Sequence, residues 1–140
     1  MSRADCETML GSSRLGTLAL AEDSKAYAIP LFFSFDGDMV WFQTHPGLKD
    51  EYLEATRDAC LVVSHMGSEN LWESVHVFGK VEKVTLTDDL EAARAALMDV
   101  PLPPASGNYP KGKPVRTDRN MYYLKLKPTH IEGKKSAWKS

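Results

Sequence analysis

Ala26-Tyr27-Ala28-Ile29-Pro30-Leu31-Phe32-Phe33-Ser34-Phe35-Asp36-Gly37-Asp38-Met39-Val40-Trp41-Phe42-Gln43-Thr44 carries the plainest structural pattern in the chain. Tyr27, Ile29, Leu31, Phe33 and Phe35 recur every second residue, which puts all five side chains on one face of a strand from Ala26 to Phe35. Asp36-Gly37 comes directly after and can supply the positive φ angles of a type I′ turn, so Asp38 to Thr44 is expected to return antiparallel.

On the N-terminal side, Arg14 to Leu20 reads as another strand, and Ser2 to Leu10 as a helix. Ser2 would be its N-cap, with Asp5 three residues on and Gly11 at its end. Beyond Thr44 the period changes. Pro46 suits the first turn of a helix, and Leu48, Tyr52, Ala55 and Ala59 succeed it at helical spacing. Ala59 to Met66 is almost wholly apolar through Val63, as in a strand covered on both sides. Ser74 to Leu86 reads as a long strand interrupted at Gly79, the expected place of a bulge or barrel corner. Thr87 can cap a helix through about Met98, with Leu90, Ala93 and Leu97 inward, stopped by Pro101, Pro103 and Pro104. Pro101 to Val115 reads as a loop, and Met121 to Lys127 forms the last strand. Six strands with three short helices predict a mainly β protein, a closed or half-closed barrel, because closure removes unpaired edges.

A length of 140 residues fits one domain spanning 1–140, and 43% hydrophobic with 26% charged residues is a globular balance. Lys plus Arg (17) against Asp plus Glu (19) leaves −2, which gives no general attraction for nucleic acid. The basic residues near the C-terminus read as a solvated strand face and tail. No apolar run approaches the ~20 residues of a membrane helix, and the first residues lead into no apolar signal core; no membrane association and a cytoplasmic location are the expectation. Cys6 and Cys60 make no disulfide framework or Cys-x-x-Cys pair. His45, His65, His76 and His130 have no metal-ligand spacing, so no metal is expected. His65 and His76 fall on neighbouring strands, where they could face each other for proton transfer or heme ligation or stand as a plain half-buried pair.

The chemistry starts where the third strand ends, at Trp41-Phe42-Gln43-Thr44-His45-Pro46-Gly47-Leu48-Lys49. A helix N-terminus offers unpaired N–H groups and a partial positive charge. Thr44 adds a hydroxyl, Gly47 allows close approach and Lys49 supplies a point charge for a phosphate. The plain alternative is that Thr44 caps the helix and Lys49 is solvated.

Four segments in order resemble the pyridoxamine 5′-phosphate oxidase-like, FMN-binding split-barrel family: Arg14-Leu15-Gly16-Thr17-Leu18-Ala19, Tyr27-Ala28-Ile29-Pro30-Leu31, Trp41-Phe42-Gln43-Thr44 with Gly47-x-Lys49, and Trp72-Glu73-Ser74-Val75-His76-Val77-Phe78-Gly79. The ending Ile131-Glu132-Gly133-Lys134-Lys135 is similar too, and the nearest subgroup includes the nitroimidazole-resistance proteins. The resemblance implies a six-stranded split barrel, a homodimer with two FMN sites at the subunit interface, and a small-molecule substrate. Ile29, Pro30 and Leu31 would line the flavin ring, with Phe42, Gln43 and Thr44 along the ring and ribityl chain. Lys49, helped by Thr44, would hold the phosphate; Trp72 and Ser74 would complete the pocket from either subunit. Trp138 reads as part of a frayed tail, with a reach to the partner's flavin as the other reading.

The chain departs from the family in two places. The substrate-gripping Arg-x-His ending of true pyridoxamine phosphate oxidases is absent, and Gln43 stands where the nitroimidazole-resistance subgroup has His. No catalytic residue is assigned. The resemblance leaves two function classes: an FMN-dependent oxidoreductase acting on a small molecule, or a flavin- or heme-binding module serving storage, sensing or electron carriage.

Overall fold

A computed structural model describes residues 1–67, 71–100 and 121–136. The elements in chain order are α1 (Arg3–Ser12), β1 (Leu15–Glu22), β2 (Lys25–Phe35), β3 (Val40–Thr44), α2 (Leu48–Ala55), β4 (Asp58–Met66), β5 (Trp72–Lys83), α3 (Thr87–Ala96) and β6 (Tyr122–Lys135). The six strands close into an antiparallel barrel in the order β1-β2-β3-β6-β5-β4, with β4 pairing back onto β1. The expected loop from Pro101 to Val115 and Trp138 lie outside the described residues.

The period-two face of β2 becomes the barrel interior. Leu31, Phe33 and Phe35 are buried against Leu18, Leu61, Val75, Val77, Leu124 and Leu126, the main core. Each such side chain, withdrawn from water, stabilises the fold by roughly 1.5–3 kcal/mol. α1 covers one part of this core with Cys6, Met9 and Leu10. Its start is a reciprocal cap: the Asp5 N–H donates to Ser2 Oγ at 3.0 Å, and the Ser2 N–H to Asp5 Oδ2 at 3.2 Å. α3 packs on a smaller cluster of Trp41, Val84, Ala93, Leu97 and Val100, and Asp89 ties it to β6 through Lys125 at 2.7 Å.

The turns differ from expectation. Both residues with positive φ at a two-residue turn are Asp23 (45°) and Ser24 (65°), between the paired Glu22 and Lys25, so the type I′ signature joins β1 to β2. At the β2–β3 turn only Gly37 has positive φ (100°), and the centre is Gly37-Asp38. Asp36 acts there as a clamp: its Oδ1 accepts from the N–H groups of Asp38 and Met39, and its Oδ2 from Trp41 Nε1 at 2.8 Å.

β4 is not covered on both sides. Ala59, Leu61 and Val63 are buried while Cys60 and Val62 are half-buried, because β4 is part of the barrel wall and has an outer face. β5 begins at Trp72, before the expected Ser74, and ends at Lys83.

The largest difference is β6, which runs on from Lys127 to Lys135 instead of stopping. Phe78 pairs with His130 but Gly79 pairs with Pro128, so Thr129 is an extra residue. A bulge tolerates a proline, which cannot donate to a regular ladder. Gly79 supplies the opposite half of this bulge, since a Cβ there would collide with the carbonyl oxygen of Lys127.

Candidate functional site

β3 delivers Thr44 to the edge of the barrel, and three residues then turn the chain into α2. α2 starts at Leu48 with Gly47 as its N-cap, so Pro46 precedes the helix instead of opening it. Asp50 belongs to the first turn and reaches back, its Oδ2 accepting the Gly47 N–H at 2.7 Å. The chain's own carboxylate thus meets the positive end of the helix.

Lys49 is only 1% exposed. Its ammonium donates to the carbonyl oxygen of His45, which also accepts from Thr44 Oγ1 at 3.3 Å. It lies 3.9 Å from Asp50 Oδ2 and 5.3 Å from the centre of the Tyr122 ring. Lys83, at the end of β5, approaches the same ring to 4.9 Å. Tyr122 stands opposite Thr44 on β6, and its hydroxyl donates to Asp50 Oδ1.

These contacts set the protonation. Burial lowers the pKa of Lys49, opposed by the charge of Asp50 and aided by Lys83. For Asp50, burial alone would raise the pKa, but the bonds from Tyr122 and the Gly47 N–H, with Lys49 and Lys83 nearby, hold it below the usual carboxylate value. Burial and the bond to Asp50 push Tyr122 well above its usual value. One buried atom has no partner among the described residues, His45 Nε2. A buried ammonium four residues from a buried imidazole nitrogen is donor chemistry suited to an oxygen-rich anionic group of a ligand. The residues present therefore fit a flavin phosphate.

Of the other expected residues, Phe42 is wholly buried against Phe33, ring centres 6.5 Å apart, so only its backbone can face a ligand. The Gln43 amide is buried beside the Met121 sulfur at 3.3 Å. On β2, Ile29 is half-buried, Pro30 exposed and Leu31 buried. Trp72 (41% exposed) and Ser74 are elsewhere: Ser74 pairs with Lys134 whereas Thr44 pairs with Tyr122. These partners are twelve residues apart on one strand, about 40 Å of chain at about 3.3 Å per residue. Two adjoining cavities of about 410 and 520 Å³ flank the Trp72 end and share His65, Glu73 and Lys135.

One chain thus gathers Thr44 and Lys49, sets the Gln43 amide against Met121, and holds Trp72 and Ser74 apart from them. Asp50, Lys83 and Tyr122 were missed by sequence reasoning. Asp50, three residues after Gly47, was legible as a cap; Lys83 and Tyr122 arrive only through strand register. His65 and His76 do not face each other, since His65 opposes Glu73 and His76 opposes Val62. Glu132 is the neighbour of His76 (3.8 Å) and also of His130 (3.3 Å).

The outer wall of β1, β2 and β4 is unusual for water-facing strands. Thr17, Ala19, Ala28, Pro30, Cys60 and Val62 point outward there, and none carries a charge.

A family model described as pyridoxamine 5′-phosphate oxidase matches residues 2–135. The chain belongs to this family. A curated relative, an uncharacterised protein of Rhizobium meliloti, is 25% identical over 87 residues, spanning 62% of this chain and 58% of its own length. An FAD-binding protein of Mesorhizobium loti superposes with a TM-score of 0.77 at 22% identity, covering 98% of this chain and 96% of the other. An FAD-binding protein of Mycobacterium smegmatis gives 0.74 at 21% identity, covering 98% of each. A Bacteroides thetaiotaomicron protein named for 5-nitroimidazole antibiotic resistance gives 0.73 at 19% identity, covering 96% and 84%. At these identities the likeness is one of fold. Among the described residues no helix is long and apolar enough to cross a membrane.

Proposed function

We propose that this member of the family binds a flavin, FMN in its simplest form, and that it acts as a homodimeric oxidoreductase on a small molecule. The observation that carries the reading is the buried ammonium at the β3 exit, where Lys49 and Thr44 meet on the His45 carbonyl oxygen and His45 Nε2 is buried without a partner among the described residues. The Mesorhizobium and Mycobacterium proteins of the same fold bind FAD, which favours a flavin and keeps the dinucleotide in view.

A bound flavin would supply the electron-transfer chemistry itself. The chain's part is to bind and orient. Lys49 would take the phosphate charge, Thr44 would add a hydroxyl, and the backbone of Ile29, Pro30 and Leu31 would flank the ring. Trp72 and Ser74 lie too far along β6 to join the same site within one chain, so a second copy is the natural source of them. The uncharged stretch of outer wall formed by Thr17, Ala19, Ala28, Pro30, Cys60 and Val62 gives that copy a surface to pack on.

A second reading, a flavin- or heme-binding module without turnover, is favoured by Gln43. It replaces a histidine of the nitroimidazole-resistance subgroup, and its amide is buried against Met121 instead of being free to move a proton. The visible spectrum of the purified protein, with the released chromophore identified against FMN, FAD, F420 and heme, tests the cofactor. Flavin that a nicotinamide donor reduces and a small acceptor reoxidises supports the enzyme; flavin that binds but never cycles supports the module. A colourless protein that also fails to take up added FMN or FAD removes the proposal.

A further inference from the structure

We infer that the cavity between α1 and the ends of β4, β5 and β6 is a binding site for a zwitterion with an apolar body, the chemistry of an aromatic α-amino acid. The site is independent of the flavin reading. It lies at the end of β6 remote from Tyr122, and alternation along β5 turns Glu73 to the face opposite Ser74.

Three side chains form one row across three strands. His65 of β4 opposes Glu73 of β5, and Glu73 opposes Lys135 of β6. They continue the inward rows Leu61-Val63, Val77-Val75 and Ile131-Gly133 past the end of the core, and so they stand beside α1. α1 comes close here because position 133 is glycine; a Cβ would collide with the Cys6 sulfur. The row and α1 border a space of about 520 Å³, within the range of small-ligand pockets.

The charges facing this space are left open. Residues directly opposite on antiparallel strands have Cβ atoms about 5 Å apart, close enough for a salt bridge. Yet among the described residues Glu73 and Lys135 make no hydrogen bond or ion pair, with each other or with any other group. Asp5, the other carboxylate in the lining, is engaged at the α1 cap. A half-buried carboxylate and an ammonium that share one cavity suit a ligand carrying an ammonium and a carboxylate of its own. His65, on the other side of Glu73, adds a ring nitrogen for a further hydrogen bond. Met9, Leu15 and Val63 give the same cavity an apolar side, which takes the body of the ligand.

The test is isothermal titration calorimetry of the full chain with three probes of one size: L-phenylalanine, 3-phenylpropionate, which lacks the ammonium, and phenethylamine, which lacks the carboxylate. L-phenylalanine is expected to bind about tenfold or more tightly than either analogue. Glu73→Gln is expected to bring L-phenylalanine down to the level of 3-phenylpropionate while moving 3-phenylpropionate less than about twofold, and Lys135→Met to do the same with phenethylamine. Both side chains stand near strand ends, and an unchanged circular dichroism spectrum confirms that the variants fold. Three probes that bind alike, no binding of L-phenylalanine to the parent, or an L-phenylalanine affinity unchanged in both variants overturns the inference.

Discussion

Thr44 Oγ1 and Lys49 Nζ donate to one acceptor, the carbonyl oxygen of His45. The shared oxygen fixes a hydroxyl and an ammonium side by side at the strand exit before any ligand arrives, so little order has to be gained on binding. The Asp50 carboxylate, 3.9 Å away, is the anion the ammonium already has within the chain.

Replacing that ammonium is the direct check. Lys49→Met keeps the apolar stem and removes the charge; flavin affinity is expected to drop by roughly 1.5–3 kcal/mol, the scale of a charge-assisted bond. Thermal stability should change little or rise, since a buried charge is costly to desolvate. Equal flavin affinity in titrations of parent and variant would remove Lys49 from the site.

On the proposed reading, Asp50 would compete with a ligand phosphate for the same positive surroundings. In Asp50→Asn the repulsion between carboxylate and phosphate disappears, and FMN is expected to bind more tightly. The same change weakens the Gly47 cap and the Tyr122 bond, for a stability loss of about 1–2 kcal/mol. Calorimetric melting and flavin titration of one preparation read both effects; weaker flavin binding would show that the carboxylate helps the ligand instead of opposing it.

Asp36 gives a pH dependence whose sign can be worked out. Burial would raise its pKa, but the bonds from Trp41 and from the N–H groups of Met39 and Asp38 outweigh it and hold the carboxyl below its usual value. A carboxyl depressed in the folded state contributes stability that is present above the unfolded value near 3.9 and is lost as pH falls through the folded pKa. Parent and Asp36→Asn are therefore expected to differ most in melting temperature near neutral pH and to converge under acid. A gap that widens on acidification contradicts the clamp.

Gly79→Ala tests the bulge. The added methyl would run into the Lys127 carbonyl, a backbone group that cannot swing away, so β5 and β6 must separate locally. A loss of about 2–4 kcal/mol is expected in denaturant unfolding. A loss below about 0.5 kcal/mol would mean that the two strands are not so closely paired there.

Ala28→Arg tests the outer wall. Ala28 is exposed in one chain and points away from the core, so the barrel should fold while a copy packed on that wall is driven off. Sedimentation is expected to show monomer in place of dimer, with flavin lost along with the partner. A variant that remains dimeric with full flavin places the contact elsewhere.

Legibility tracked the range of the interactions. The alternation from Tyr27 to Phe35 announced β2 and its buried face, because burial of one strand face is written in neighbouring residues. Ser2 and Asp5 announced α1 for the same local reason. The end of β6 was illegible: Pro128 reads as a stop, and only the bulge opposite Gly79, some fifty residues away in sequence, lets the strand continue. The site divides in the same way. Thr44, Gly47 and Lys49 lie within six residues and could be read together. Tyr122 and Lys83 join them through pairing of β6 with β3 and β5, which no spacing in the sequence encodes.

The unbroken run of β6 carries one more consequence. Because a single strand borders Thr44 at its start and Ser74 near its end, it serves as a ruler between the two clusters, with Thr129 as its vernier. Removing that one residue would leave both faces as they are, because Val77 with Ile131 and Val81 with Leu126 are buried on either side of it, and would only straighten the strand and shorten the gap between the clusters by a single step. A deletion elsewhere in β6 would instead turn one half of the strand inside out relative to the other.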